Sequence, residues 1–297
     1  MKFIKSNILV IAFITFSTLI MSCSDDNDVT SDYGRLSVKL TDAPFPHDLV
    51  AEANVTVFKI DARYKGDVNL DEEMIDSTST SVETDGDNRF IVLMEDEVQV
   101  NLLELTNGVT ENLANLEVPV GTYDLIRVYV EGVNVVLKDG TIYDLKVPSG
   151  SQSGIKVFVK PGITVNGGLT SDLLLDFDVS RSFVAKGGTR NITGFNFKPV
   201  IKASNLSTAG TLAGFVTELQ EETPVGVEGA QIAVFSADTL NTTTFTDVDG
   251  SYMLMGLDAG SYTVEVEKDG YIMQTADNVQ IDAANKTVLD FELSIED

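Results

Sequence analysis

The sequence is short of several residue types that chemistry commonly uses. Its 297 residues include one Cys, one His and no Trp, and 20 Lys plus Arg stand against 46 Asp plus Glu. A single Cys excludes an internal disulfide and any zinc cluster built on cysteines. A single His excludes a His-rich metal site. The formal charge of −26 repels phosphate backbones and anionic headgroups, which argues against nucleic-acid binding and electrostatic membrane docking. Beyond the N-terminus there is no convincing 3.6-residue hydrophobic period over eleven residues or more, and no internal repeat, so helical bundles, solenoids and propellers are not expected.

What is present is ordinary globular material: 43% hydrophobic and 22% charged residues, at a length that favours two domains. The N-terminus is set apart. Lys2 and Lys5 precede an apolar run from Ile8 to Met21. As a helix that run spans about 21 Å, short of the roughly 30 Å hydrocarbon core, and so reads as the h-region of a signal peptide. It ends in Leu19-Ile20-Met21-Ser22-Cys23, which resembles a bacterial lipobox, with the chain's one Cys at the residue that would be cleaved and acylated. The following Ser24-Asp25-Asp26-Asn27-Asp28 resembles the acidic signal that marks lipoproteins of the Bacteroidetes for the outer face of the outer membrane. The expectation is a signal peptide over 1–22 and a lipidated acidic tether over 23–33. It places the protein on the outer membrane, lipid-anchored at Cys23 and exposed on the cell surface, touching the membrane through that lipid alone.

From Tyr33 onward the hydrophobic period is two. Leu36, Val38 and Leu40 alternate with Arg35, Ser37 and Lys39, and Ile126, Val128 and Val130 alternate with Arg127, Tyr129 and Glu131. These are half-buried strands. Lys138-Asp139-Gly140-Thr141 reads as a two-residue hairpin, and Leu102 to Leu116 has room for a helical turn or two. Gly66 to Asn88 holds eight acids and no Lys or Arg, the composition of a long disordered loop. The predicted fold class is all-β: two antiparallel β-sandwich domains in tandem behind a lipoprotein signal peptide. The first covers 34–204, a small polar linker 205–210, and the second 211–297.

Both domains resemble known families. Gly34-Arg35-Leu36, Leu40-Thr41-Asp42-Ala43-Pro44, Val100-Asn101-Leu102-Leu103-Glu104-Leu105, Pro119-Val120-Gly121-Thr122-Tyr123, Val147-Pro148-Ser149-Gly150 and Phe197-Lys198-Pro199 resemble, in order and spacing, the family catalogued as domain of unknown function 4382. That resemblance carries no activity. Gly214-Phe215-Val216, Thr246-Asp247-Val248-Asp249-Gly250-Ser251-Tyr252, Leu257-Asp258-Ala259-Gly260-Ser261-Tyr262 and Lys268-Asp269-Gly270-Tyr271 resemble the carboxypeptidase regulatory-like modules. The second resemblance implies a prealbumin-like sandwich, of a class that binds glycans in some relatives and serves as a spacer in others, with Tyr252, Tyr262 and Tyr271 filling it.

No catalytic constellation emerges. His47 sits in a Pro-rich turn with no nucleophile elbow to meet it. Ser153-Gly154-Ile155-Lys156 matches an S-x-x-K pattern, but Ile155 to Val159 reads as a strand where that chemistry needs a helix. Asp247-Val248-Asp249-Gly250 has half the ligands of a calcium loop and reads as a hairpin turn. Asp176 and Asp178 share a strand face with Leu174, roughly 7 Å apart. Repulsion between them calls for a cation: a base such as Lys198 or Arg127, or Ca²⁺ also held by Asp42. Tyr129 and Tyr143, read as outward-facing, are the candidates for stacking against a sugar. Asp76-Ser77-Thr78 and Asp238-Thr239-Leu240 resemble short O-glycosylation sequons. The functional expectation is a non-enzymatic outer-membrane surface lipoprotein acting as a binding or adhesion module, with glycan as the leading ligand class and a surface protein as another partner; the alternative is a structural or assembly part of the envelope or fimbriae that docks proteins through sheet edges.

Overall fold

A computed structural model describes residues 31–43, 49–66, 81–147, 151–188 and 191–296. Cys23 and the segment before it, the tether up to Thr30, His47, and Asp76 to Thr78 lie outside the described residues. Ser31 to Asp297 cluster as one compact unit that nevertheless holds two separate hydrophobic cores. Among the described residues nearly all regular structure is strand.

In the first sandwich, one sheet runs β13 (Ile201–Asn205), β10 (Thr170–Asp178), β1 (Tyr33–Ala43), β6 (Glu111–Pro119). The facing sheet runs β3 (Val82–Asp85), β4 (Asn88–Met94), β2 (Val50–Lys65), β7 (Gly121–Leu137), β8 (Ile142–Asp144). In that sheet β5 (Val98–Asn101) also pairs with β2, and β9 (Ile155–Val165) with β7. The period-two pattern does what it predicts: Leu36, Val38, Leu40, Ile126, Val128 and Val130 are all buried in the first core. A short helix, α1 (Val179–Ser182), leads from β10 into the hairpin of β11 (Phe183–Gly188) and β12 (Asn191–Phe197).

The second sandwich is organised on β14 (Ala209–Gln220), which pairs with β15 (Thr223–Gly226), β18 (Ser251–Asp258), β21 (Lys286–Val288) and β22 (Phe291–Leu293). Its second sheet runs β17 (Thr239–Phe245), β16 (Gln231–Ser236), β19 (Gly260–Glu267), β20 (Gln274–Ile281). Tyr252 and Tyr262 are buried in the core, and their hydroxyls donate to the carbonyls of Leu289 and Asp258. Tyr271 packs at its edge and donates to Glu218.

Several local expectations change. The sheets are not purely antiparallel, because β1 runs parallel to β10, and β21 and β22 run parallel to β14. The 138–141 turn closes a hairpin through a bond from Leu137 N–H to the Thr141 carbonyl, leaving three loop residues rather than two. The acidic stretch expected as loop becomes strand from Val82, where β3 pairs with β4. Asp247 to Gly250 is a turn, but it joins strands of different sheets instead of closing a hairpin. In the segment read as a linker, β13 runs to Asn205, residues 206–208 form a turn and β14 begins at Ala209.

Gly214 shows how tightly the second sandwich is drawn together. A Cβ at this position would lie 1.8 Å from the Leu289 carbonyl oxygen. Replacing Gly by Ala restrains the unfolded chain, a gain of about 0.4–1 kcal/mol, whereas overpacking against backbone costs about 1–3 kcal/mol. The clash wins. Gly214→Ala is expected to lower unfolding free energy by roughly 1–2 kcal/mol, read by urea denaturation. An unchanged or raised midpoint would contradict the packing described.

Candidate functional site

The strand holding Asp176 and Asp178 is buried from both sides. Leu173, Leu175 and Phe177 enter the first core. Leu174 is also fully buried yet belongs to neither core. Its cover is the second sandwich: a Cβ on Gly256 would lie 3.2 Å from Leu174 Cδ2 and 3.1 Å from the Ser204 side chain, and Gly256 adopts a φ of +77°. Glycine there permits the close approach.

Polar contacts fix the junction. Ser204 Oγ donates to the Gly256 carbonyl at 2.9 Å. Lys202 Nζ donates to the carbonyl and Oδ1 of Asn241 at 2.7 and 2.8 Å. Asn107 Oδ1 accepts from Thr244 Oγ1 at 3.2 Å and from the Met253 N–H at 3.4 Å. The loop carrying Asn107 is held to β1 by the Thr41 hydroxyl, 3.0 Å from the carbonyls of both Leu105 and Val109.

Asp176 lies at this junction, on the wall of a cavity of about 20 Å³ shared with Thr41, Asp42, Thr242 and Met253. Its cross-strand partner is Lys202. Burial pushes the Asp176 carboxyl up to about 6, against the pull of Lys202 and with the push of Asp178. Burial likewise lowers Lys202. Asp178 is committed elsewhere: it caps α1 through the Arg181 N–H and accepts from Ser180 Oγ and Arg181 Nε. Asp42, buried on β1, accepts from the Val179 N–H at 3.1 Å.

Asp42, Asp176 and Asp178 come near one another, with Asp42 and Asp178 each bonded to a different neighbour, and among the described residues no cluster of three acidic, His or Cys side chains could hold a metal. The compensating cations are Lys202 and Arg181, not Lys198 or Arg127.

Arg127 lies instead at the centre of a second buried group, on the face of the β2–β7 sheet away from the core. Its Nε and Nη2 bond to both oxygens of Asp61 at 2.7 and 2.6 Å, and its guanidinium lies 3.5 Å from the Phe90 ring centroid. Nη1 reaches Asp85 at 3.2 Å, which ties β3 to β7. Tyr129 completes the group. Its hydroxyl donates to Asp61 Oδ2 at 3.1 Å, and burial raises it to about 12. Tyr129 is only 7% exposed, so the outward face expected for sugar stacking is absent. Tyr143 is half-buried, donates to the Ile192 carbonyl and sits edge-on to Phe195. The outward positions on β8 are its neighbours Ile142 and Asp144.

Ser153 lies in a turn and Lys156 on β9, without the helix the S-x-x-K pattern needs. Asp238-Thr239-Leu240 forms an exposed turn and strand start between β16 and β17. Sequence reasoning missed Asp61, Asn107 and Lys202. Asp61 between Ile60 and Ala62 carried a signal, as did the Asn107-Gly108 pair, since Asn tolerates positive φ and adopts +52° here. A cleft of about 450 Å³ at the domain junction, lined in part by Lys160, Asn166, Thr170, Asn205, Ser207 and Asp258, was not foreseen either.

With this geometry in hand, residues 33–199 match the family model described as Domain of unknown function (DUF4382), over half of the chain. The chain belongs to the DUF4382 family. In this DUF4382 member, residues 211–294 also match the carboxypeptidase regulatory-like domain. A comparison with curated proteins returns no match. Among solved structures, the chain is similar to the minor pilin GBS52 of Streptococcus agalactiae, at 11% identity and TM-score 0.26, covering 88% of this chain and 96% of that one. It is similar to the shaft pilin of Lactobacillus rhamnosus GG at 10% identity and TM-score 0.26, covering 89% and 100%. It is also similar to a type II cohesin-X-dockerin complex of Acetivibrio cellulolyticus at 17% identity and TM-score 0.24, covering 30% of this chain and 59% of that one. The chain thus spans less than two thirds of that last chain.

The raised Asp176 carboxyl gives a signed prediction. Between its ordinary value near 3.8 and about 6, the folded chain keeps a proton that the unfolded chain has released, so this group lowers stability as pH rises through that window. Asp176→Asn removes the effect. The wild-type minus variant unfolding free energy is expected to fall by about 1–3 kcal/mol from pH 4 to pH 7. Parallel pH profiles would contradict the burial of this carboxyl.

Proposed function

We propose that this chain is a non-enzymatic surface module that docks other proteins, anchored in the outer membrane by a lipid on Cys23 and displayed on the cell surface. One observation carries the docking reading. The face of the first sandwich that bears Asp176 and Asp178 is covered by the second sandwich, and its acids are answered by Lys202 and Arg181. A free, concave, aromatic-lined face there would have supported ligand capture; a neutralised, covered face supports a scaffold in which two sandwiches present their edges as a unit. Neither matched domain is described as catalytic. The lipobox and the acidic residues after it support the address.

A second reading, glycan binding, has its own support in the polar junction cleft, whose 450 Å³ falls within the size range of small-ligand sites. It predicts saturable hits on a glycan array that are lost on substitution of Asn166 and Asp258. The docking reading predicts a silent array and specific cross-links to protein on intact cells.

The address is tested separately. Cys23→Ser is expected to abolish labelling by radioactive palmitate and release the protein from the membrane fraction, while wild-type protein on intact cells is degraded by added protease. Retention of the variant in membranes, or protection of the wild type, would overturn it.

A further inference from the structure

Positive charge in this chain is concentrated in one stretch. Residues 138–202 carry nine Lys and Arg against five Asp, a net of +4, so the rest of the chain carries −30. Arg181 and Lys202 are engaged by Asp178 and Asn241. Lys146 and Lys186 are exposed, and their ammonium groups make no ion pair or hydrogen bond among the described residues. Both line one groove of about 650 Å³, between Asp144 to Lys146 on one side and the β11–β12 hairpin on the other.

The backbone around this groove is equally unfinished. Among the described residues β8 pairs only with β7 and ends its sheet, and β11 and β12 pair only with each other. The groove therefore lies between β8 and a two-stranded hairpin, and on the open side of the three-residue β8 the backbone N–H and C=O groups of Ile142 and Asp144 are unpaired. An extended peptide can match these backbone groups; a polysaccharide does not. On β8 the outward side chain of Ile142 is 61% exposed, with Asp144 and Lys146 on the same side. The positions of an added strand that face Ile142, Asp144 and Lys146 are two residues apart, so Ile142 favours an apolar residue, Asp144 disfavours an acid at the next position on that face, and Lys146 favours an acid four residues from the apolar one.

We propose that this groove receives an extended acidic segment of a partner protein, added as a strand against β8 with its carboxylates on Lys146 and Lys186. The proposal rests on the docking reading above and names its edge and its partner's chemistry. In a chain of charge −26, two lysines beside an open edge select against basic partners and steer acidic ones to this place.

The test uses full-length protein extracted in detergent and the fluorescein-labelled octapeptide Thr-Glu-Glu-Thr-Thr-Thr-Val-Thr, whose Val and first-face Glu stand four residues apart with Thr between them on that face and whose other Glu lies on the opposite face. Fluorescence anisotropy is expected to show saturable binding that weakens with salt, while the counterpart with Lys in place of each Glu does not bind. Lys146→Glu with Lys186→Glu is expected to weaken binding about tenfold or more, and Lys286→Glu, an exposed lysine on β21, to leave it unchanged. Methylating alternate backbone nitrogens of the Glu peptide keeps its charge and removes its strand donors, and is expected to abolish binding. Binding that survives methylation, equal loss on Lys286→Glu, or tighter binding of oligogalacturonate than of the peptide would each overturn the proposal. Cross-linking on intact cells separates this failure from that of the underlying reading. Protein adducts kept by the double variant would leave the docking module standing without this groove, whereas no adduct with wild type or variant would remove the module itself.

Discussion

The architecture depends on one strand being buried on both faces. β10 sends Leu173, Leu175 and Phe177 into the first core and Leu174 under the second sandwich, and all three leucines are fully buried. A strand exposed on one side could belong to a free-standing sandwich; this one cannot be uncovered without exposing Leu174, at a cost of about 1.5–3 kcal/mol for a side chain of that size. The same uncovering would break the contacts of Ser204 and Lys202 with the second sandwich. The tandem is thus a docked pair joined by a short turn, and the functional surfaces are those left over: the sheet edges, the junction cleft and the groove beside β8.

Charge is managed by the same logic. A chain with 46 acids keeps most of them in water, where screening makes them cheap. The few that fold inward are given specific answers: Asp61 by Arg127 and Tyr129, Asp178 by Arg181 and the start of α1, and Asp42 by the Val179 N–H. Removing one partner of a buried pair strands the other, so these groups fix which strands meet rather than adding much net stability. Asp176 lies at the domain junction, where burial raises its carboxyl against the pull of Lys202.

Much of the fold was legible from the residues. Alternation located the strands, the Asp139-Gly140 pair located a hairpin, and two sets of motifs located both domains. What failed was the assumption that every strand has a wet face. Leu173-Leu174-Leu175 is a continuous apolar run, the pattern of a strand covered on both sides, and it outweighed the two aspartates that follow it. Tyr129 failed for a related reason: alternation places it on the non-core face, but Arg127, Asp61 and Phe90 build a second, charged layer there. Lys202 was invisible as the partner of Asp176 because cross-strand register is set by tertiary pairing, not by sequence spacing. The groove beside β8 was beyond reach for the same reason, since its two lysines are forty residues apart and meet only through the β11–β12 hairpin.

The docked pair is tested most directly by a distance between its halves. With Cys23 replaced, spin labels at Thr193 and Asp269, both exposed, would report on the first and second sandwich by double electron–electron resonance. A single narrow distance distribution, broadening when Leu174→Ala is combined with Ser204→Ala, is the predicted result. A broad distribution in the wild-type background would mean that the sandwiches move independently about residues 206–208, and would contradict the account.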